Sequence, residues 1–138
     1  MLDYLDKLIV QFPPIEQPMR YGNKSYRFWL EKFTEEFDVL MQNILPKEKR
    51  EYLTVELKPY FLESFGNSKR IDYGTGHELN FICVLYILCV EEIFTKDDYP
   101  AIVHQLFYRY LMLMRKLQQT YMLEPAGSHG VIFILTFL

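Results

Sequence analysis

The chain has 138 residues, of which 50% are apolar, with eleven Tyr, eleven Phe, one Trp and a formal net charge of −3. That length accommodates one domain with a sizeable core, and so apolar a composition argues against disorder. The charge balance leaves no Lys/Arg cluster long enough to track a phosphate backbone, which argues against nucleic acid as a partner.

Leu2, Leu5, Leu8, Ile9 and Phe12 recur at helical spacing, predicting a short amphipathic helix over residues 2–11 that Pro13 and Pro14 end. The opening M-L-D-Y-L-D-K places acids where a signal peptide has basic residues, so a cytoplasmic location, with the nucleus also open, is expected. Residues 12–23, F-P-P-I-E-Q-P-M-R-Y-G-N, mix three prolines with a glycine and predict an ordered arm on the surface. Tyr26, Trp29, Leu30, Phe33, Phe37, Leu40, Met41 and Ile44 then step by three and four, the clearest helix in the chain, ending before Pro46.

Residues 47–65 read as helical, with Pro59 expected to start a new turn or kink the helix, and Gly66 suits the left-handed position past its end. Thr75 and Glu78 are spaced as a T-x-x-E capping box, predicting a helix from about Gly76. That helix is apolar nearly all round through Ile93, which predicts a buried centre on which everything else packs. Within it, Cys83 and Cys89 form no C-x-x-C pair or disulfide framework and read as buried thiols in a reducing compartment. Its longest apolar run, Phe81 to Val90, is too short for the roughly 20 residues that span a bilayer, so no membrane association is expected. From Pro100 the stripe Ile102, Leu106, Tyr110, Leu113, Leu117 and Tyr121 predicts a last long helix, ended by the E-P-A-G-S-H-G turn of Glu124 to Gly130. No strand pair, hairpin or repeat is apparent, and the fold class is all-α.

The richest chemistry lies in Gly66 to Glu78, G-N-S-K-R-I-D-Y-G-T-G-H-E, which carries three of the six glycines beside Arg70, Asp72, His77 and Glu78. Neither a G-x-x-x-x-G-K-[ST] phosphate loop nor a G-x-G-x-x-G fingerprint fits, because Leu79 stands where a third glycine is needed. A helix start at Gly74-Thr75-Gly76 could still hold an anion, with Arg70 nearby, although spacing alone favours a purely structural cap. His77-Glu78 lacks the second histidine of a zincin, so no intrinsic metal is expected. His104 reads as a packed or rim histidine, while His129, in a turn, is the better candidate for ligand contact. No nucleophile, base or carboxylate pair has a catalytic spacing. From the residues alone the stronger reading is a recognition module that presents Tyr, Trp and Arg to a peptide or partner.

Three blocks, P-M-R-Y-G-N-K-S-Y-R at Pro18 to Arg27, the Gly66 to Glu78 segment, and R-Y-L-M-L-M-R-K-L-Q-Q-T-Y-M-L-E-P-A-G-S-H-G at Arg109 to Gly130, resemble the phosphotyrosyl phosphatase activator family. Its members are activators of protein phosphatase 2A, also described as peptidyl-prolyl cis-trans isomerases. The resemblance implies an all-α fold of core, linker and lid around a groove for a proline-containing segment, of which this chain would be the N-terminal half, a compact core of about five helices. It implies the phosphatase catalytic subunit as partner, and ATP with Mg²⁺ at a pocket shared with it. Carried over residue by residue, it assigns nucleotide or partner binding to Arg70, Asp72, Tyr73, Gly74, Thr75, Gly76, His77 and Glu78. Arg20, Gly22, Asn23, Lys24, Glu124, Pro125, Gly127, Ser128 and His129 would border the groove. No single catalytic residue is assigned; isomerisation would come from binding a twisted prolyl amide better than a planar one.

Two departures from the family stand out. Lys69 replaces a customary Thr, and after Val131 the family's W-G-L-D-D gives way to I-F-I-L-T-F-L. The expectation is a partial activator domain over residues 1–131 and a non-family apolar tail over 132–138, as a truncated gene model or variant transcript would produce. The alternative to an activating isomerase is a non-enzymatic helical binding module or an inactive fragment of the activator.

Overall fold

The computed structural model describes residues 1–127, so Ser128, His129 and the 132–138 tail lie outside the described residues. Helix α1 spans Leu2–Leu8 and tightens into a 3₁₀ turn over Ile9–Gln11. Helix α2 spans Ser25–Ile44, α3 Arg50–Glu63 and α4 Thr75–Val90. A fifth helical rod follows a short 3₁₀ turn and has three contiguous stretches: α5 at Tyr99–Ala101, a π-helical segment at Ile102–Phe107, and α6 at Tyr108–Tyr121. The described residues are thus all-α in class.

The spine of the core is aromatic. Tyr26, Trp29, Phe33 and Phe37, one face of α2, are fully buried, as the three-and-four spacing requires. Phe65, just past α3, meets Phe33 edge-on at 5.4 Å and Trp29 at 5.9 Å, and Phe81 of α4 stacks on Tyr110 of α6 at 3.9 Å. Each such ring contributes about 2–3 kcal/mol through burial alone, so this chain of rings holds the four long helices together. Helix α1 closes one end: Trp29 Nε1 donates to the Leu5 carbonyl at 3.1 Å, and Asp3 and Asp6 pair with Arg109 and Lys116.

Some expectations are corrected by the structure. Pro59 lies inside α3, exposed at the surface, and the helix continues through it instead of starting a new turn there. The Thr75–Glu78 capping box does not form: Gly74 is the N-cap, α4 has no side-chain cap, and Thr75 is already in the helix. Helix α4 is not buried all round. Phe81, Val84, Leu85 and Leu88 face the core, but Leu79, Ile82, Tyr86 and Val90 are exposed, because α3 and α6 cover only one side. A strand pair, read as absent from the sequence, exists in miniature: β1 (Asp72–Tyr73) runs parallel to β2 (Glu124–Pro125). Two residues per strand give too little hydrophobic alternation to be legible.

The proline-rich arm is ordered, as expected. Asn23 fastens it: its Oδ1 accepts from the Ile15 N–H at 3.2 Å and its Nδ2 donates to the Ile15 carbonyl at 2.8 Å. Ser25 Oγ donates to Pro13 O and Tyr121 Oη to Phe12 O, both at 2.8 Å.

Candidate functional site

Backbone pairing draws the three sequence blocks to one end of the molecule. In the Asp72↔Glu124, Tyr73↔Pro125 register, the Glu124 amide donates to Ile71 O at 3.0 Å and the Ala126 amide to Tyr73 O at 2.9 Å. The arm joins the same edge, since the Gly22 amide donates to Met122 O at 2.7 Å and that of Asn23 to Tyr121 O at 2.8 Å. From α2, Arg27 reaches across with Nε on Ser68 O at 2.8 Å and Nη2 on Lys69 O at 3.0 Å.

This junction holds strained backbone. Ile71, a β-branched residue buried within it, has φ 52, and Met122 has φ 50. Such conformations cost about 1–3 kcal/mol each and persist only where surroundings over-determine them. Here the over-determination is visible. Ile71 N donates to Asn67 O at 2.8 Å, its carbonyl is taken by Glu124, and Gly22, at φ +67, lies so close that a Cβ there would sit 3.7 Å from Ile71 Cβ. The strained Ile71 aims the next residue, Asp72, into the protein.

Asp72 is the electrostatic centre. Its Oδ2 accepts from Arg70 Nε at 2.7 Å, while its buried Oδ1 has no hydrogen-bond partner and lies 3.7 Å from His77 Nε2. His77 is itself buried, with Nδ1 2.7 Å from Glu63 O, a contact that assigns the proton to Nδ1, and its ring stacks on Tyr73. Its hydrogen bond to Asp72 raises the pKa of the Arg70 guanidinium, which is mostly exposed. Tyr73 Oη and Tyr110 Oη are 2.9 Å apart, and Tyr110 spends its proton on Ser64 O at 2.7 Å, so Tyr73 donates to Tyr110. Burial pushes both phenols above their ordinary range, keeping them neutral.

Beside this buried network lies an open rim. Thr75 and Gly76, both exposed, begin α4, where first-turn amides and the macrodipole favour an anion. Glu78, half-buried on the same turn, has its Oε2 enclosed without a partner, and desolvation raises its pKa, favouring the neutral acid. Gly74 is where two backbones touch: a Cβ there would lie 2.7 Å from Ala126 O. Arg20, Lys24, Glu124, Pro125 and Gly127 are exposed around the rim, and Gly22 and Asn23 are buried under it. Among the described residues no three His, Cys, Asp or Glu side chains approach closely enough to hold a metal ion, and His104 is exposed away from the rim.

The sequence reading passed over Ile71, Glu63, Tyr110, Arg27 and Ala126, which position the site rather than form its rim. Only Arg27, inside the first block, carried a signal that could have marked it. A carbonyl acceptor or a strained φ leaves no trace in residue type.

Fold and site together define a helical recognition platform with a polar, backbone-rich rim and, among the described residues, no group of metal-ligating side chains. A family profile described as "Phosphotyrosyl phosphate activator (PTPA) protein" matches residues 1–135. The serine/threonine-protein phosphatase 2A activator of Drosophila melanogaster is 50% identical over 131 residues, covering 95% of this chain and 33% of the relative. The probable serine/threonine-protein phosphatase 2A activator 1 of Dictyostelium discoideum is 43% identical over 95% of this chain and 40% of its own length. The crystal structure of the PP2A phosphatase activator Ypa1 superposes with a TM-score of 0.75 at 41% identity, over 92% of this chain and 40% of that one. The chain therefore belongs to the phosphotyrosyl phosphatase activator family, and it spans about a third of the length of the curated relatives it matches.

Proposed function

We propose that this chain carries the phosphatase-facing wall of a protein phosphatase 2A activator. The observation that supports the reading is the convergence of all three family blocks on one strained junction, where Asp72, Arg70 and the start of α4 meet the arm and the 124–127 turn. Relatives are named as activators of that phosphatase, and the rim suits a partner's backbone and acidic groups better than it suits covalent chemistry.

ATP with Mg²⁺ is the cofactor proposed for the shared pocket. The donor set here fits a polyphosphate: the α4 N-terminus, the exposed Arg70 guanidinium and the exposed Lys24 supply positive ends. When bound, the nucleotide would supply phosphate oxygens as ligands for a metal ion. This chain's own residues would bind and orient: Thr75 and Gly76 through their amides, Arg70 through its free N–H groups. Prolyl isomerisation, if this wall takes part, would proceed by holding a twisted amide against the rim without a covalent step.

The test is reactivation of metal-depleted phosphatase catalytic subunit with ATP and Mg²⁺ in the presence of the chain. Reactivation that Arg70→Ala reduces at least about tenfold is the expected result. Binding without reactivation would support the non-enzymatic module instead, and neither binding nor reactivation would overturn the reading.

A further inference from the structure

Two buried side chains at the turn that opens α4 face each other as acceptors. His77 Nδ1 lies 2.7 Å from Glu63 O, and a carbonyl only accepts, so the single proton of the neutral ring is spent there. That leaves Nε2 as a lone-pair acceptor, and it lies 3.7 Å from Asp72 Oδ1, which is also an acceptor. The two side chains are 9% and 10% exposed, and no donor among the described residues bonds to Oδ1. An enclosed carboxylate oxygen left unmet is costly, and one proton between the pair removes that cost.

We infer that Asp72 and His77 form a proton-operated brace: one proton taken up on Nε2 turns the facing acceptors into a charge-assisted hydrogen bond and links anion binding at the start of α4 to pH. The anion half of this inference rests on the phosphate-binding reading of the rim; the brace itself does not. Closing the pair to hydrogen-bond length takes a movement of about 0.5–1 Å. Both partners are held in place for it, His77 by Glu63 O from behind and Asp72 by Arg70 Nε, 2.7 Å from its other oxygen.

The surrounding groups set the balance. Asp72 on β1 and Glu63 at the end of α3, whose Oε2 is 3.8 Å from Nδ1, favour the charged ring. Burial, Arg70 and the positive end of the α4 dipole oppose it. Tyr73, stacked on the ring, and Tyr110 of α6, bonded to Tyr73, stay neutral, and burial disfavours the charged form of Glu78, the next residue on the turn. An anion seated at the amides of Thr75 and Gly76 offsets both the dipole and Arg70. Proton and anion therefore each favour the other's binding.

Nitrogen-15 NMR of the imidazoles in the full chain tests this. The His77 signals are assigned by their loss in His77→Gln or, should that variant not fold, by elimination with His104→Gln and His129→Gln. Between about pH 8 and 5.5, His77 is expected to pass from the Nδ1–H tautomer to an imidazolium whose Nε2–H resonates far downfield, as a charge-assisted hydrogen bond does. Asp72→Asn offers Nε2 a neutral amide donor in place of the carboxylate, so its imidazole should charge at least about one pH unit lower. Sulfate, whose own charge is constant over this range, should raise the parent's transition by at least about 0.3 pH unit relative to chloride at equal ionic strength. A ring that stays neutral down to pH 5.5, or that charges at the same pH in Asp72→Asn, would overturn the brace. A brace that forms but ignores sulfate would overturn the phosphate reading of the rim, and the link to anions with it, while upholding the proton uptake.

Discussion

Asp72 Oδ1 and His77 Nε2 face each other at 3.7 Å inside the protein, across the turn that starts α4, with no other partner for the carboxylate oxygen. The histidine is held from behind by Glu63 O at 2.7 Å, so its ring cannot swing away without breaking that bond. Replacing His77 by Ala should therefore lose a buried hydrogen bond and open a cavity next to a carboxylate. The expected destabilisation is about 2–4 kcal/mol, read as a lower urea midpoint at unchanged slope. A midpoint within error of the parent would mean that the histidine does not brace the turn.

Gly74 and Gly76 stand two residues apart and should respond oppositely. A Cβ at Gly74 meets the Ala126 carbonyl at 2.7 Å, backbone against backbone, so Gly74→Ala must push β1 from β2 and should cost about 1–3 kcal/mol. At Gly76 nothing lies within 4 Å, and Gly76→Ala in the first turn of α4 should stabilise by up to about 1 kcal/mol. Thermal unfolding of the two variants side by side checks both signs.

Tyr110 joins two helices through its hydroxyl, donating to Ser64 O at 2.7 Å and accepting from Tyr73 at 2.9 Å. Tyr110→Phe keeps the stack on Phe81 but strips both bonds. The expected loss is about 1–3 kcal/mol, with the helical content of the folded state unchanged. Chemical denaturation followed by circular dichroism measures it.

Glu78 makes stability depend on pH in a defined direction. Desolvation raises its pKa from the ordinary 4.5 in the folded chain, so between that value and the raised one the folded state binds more protons than the unfolded state. Its contribution is greatest below the ordinary value and declines as pH rises through the raised one. Glu78→Gln should remove that decline, leaving the variant's advantage over the parent largest at the upper end of the window. Stability measured from pH 4 to 8 for both chains decides it. An unchanged difference across the range would contradict the burial of the carboxylate.

Much of the helical architecture was legible because its signals are local and repeated. The α2 stripe is buried at Tyr26, Trp29, Leu30, Phe33, Phe37 and Met41, with Leu40 partly covered and Ile44 exposed at its end, and Gly66 takes the positive φ of +107 expected past the end of α3. The capping box failed because Gly74, pressed against Ala126, took the cap position and moved Thr75 into the helix. The exposure of α4 was illegible for a different reason: apolarity all round a helix says that it can be covered, not which neighbours this chain supplies. At the site, the glycines and charges of Gly66 to Glu78 marked the right segment. The parallel pairing with Glu124–Pro125, some fifty residues away, and the positive φ of Ile71 are tertiary outcomes that no residue pattern announces.

The central claim, that the three-block junction is a phosphatase-facing wall, is tested most directly by titrating the chain into purified phosphatase 2A catalytic subunit and measuring the dissociation constant for the parent and Arg70→Ala. The account predicts saturable binding that the substitution weakens at least about tenfold while leaving the far-ultraviolet spectrum unchanged. Binding of equal strength by both chains, or none by the parent at concentrations where it is folded, would contradict it.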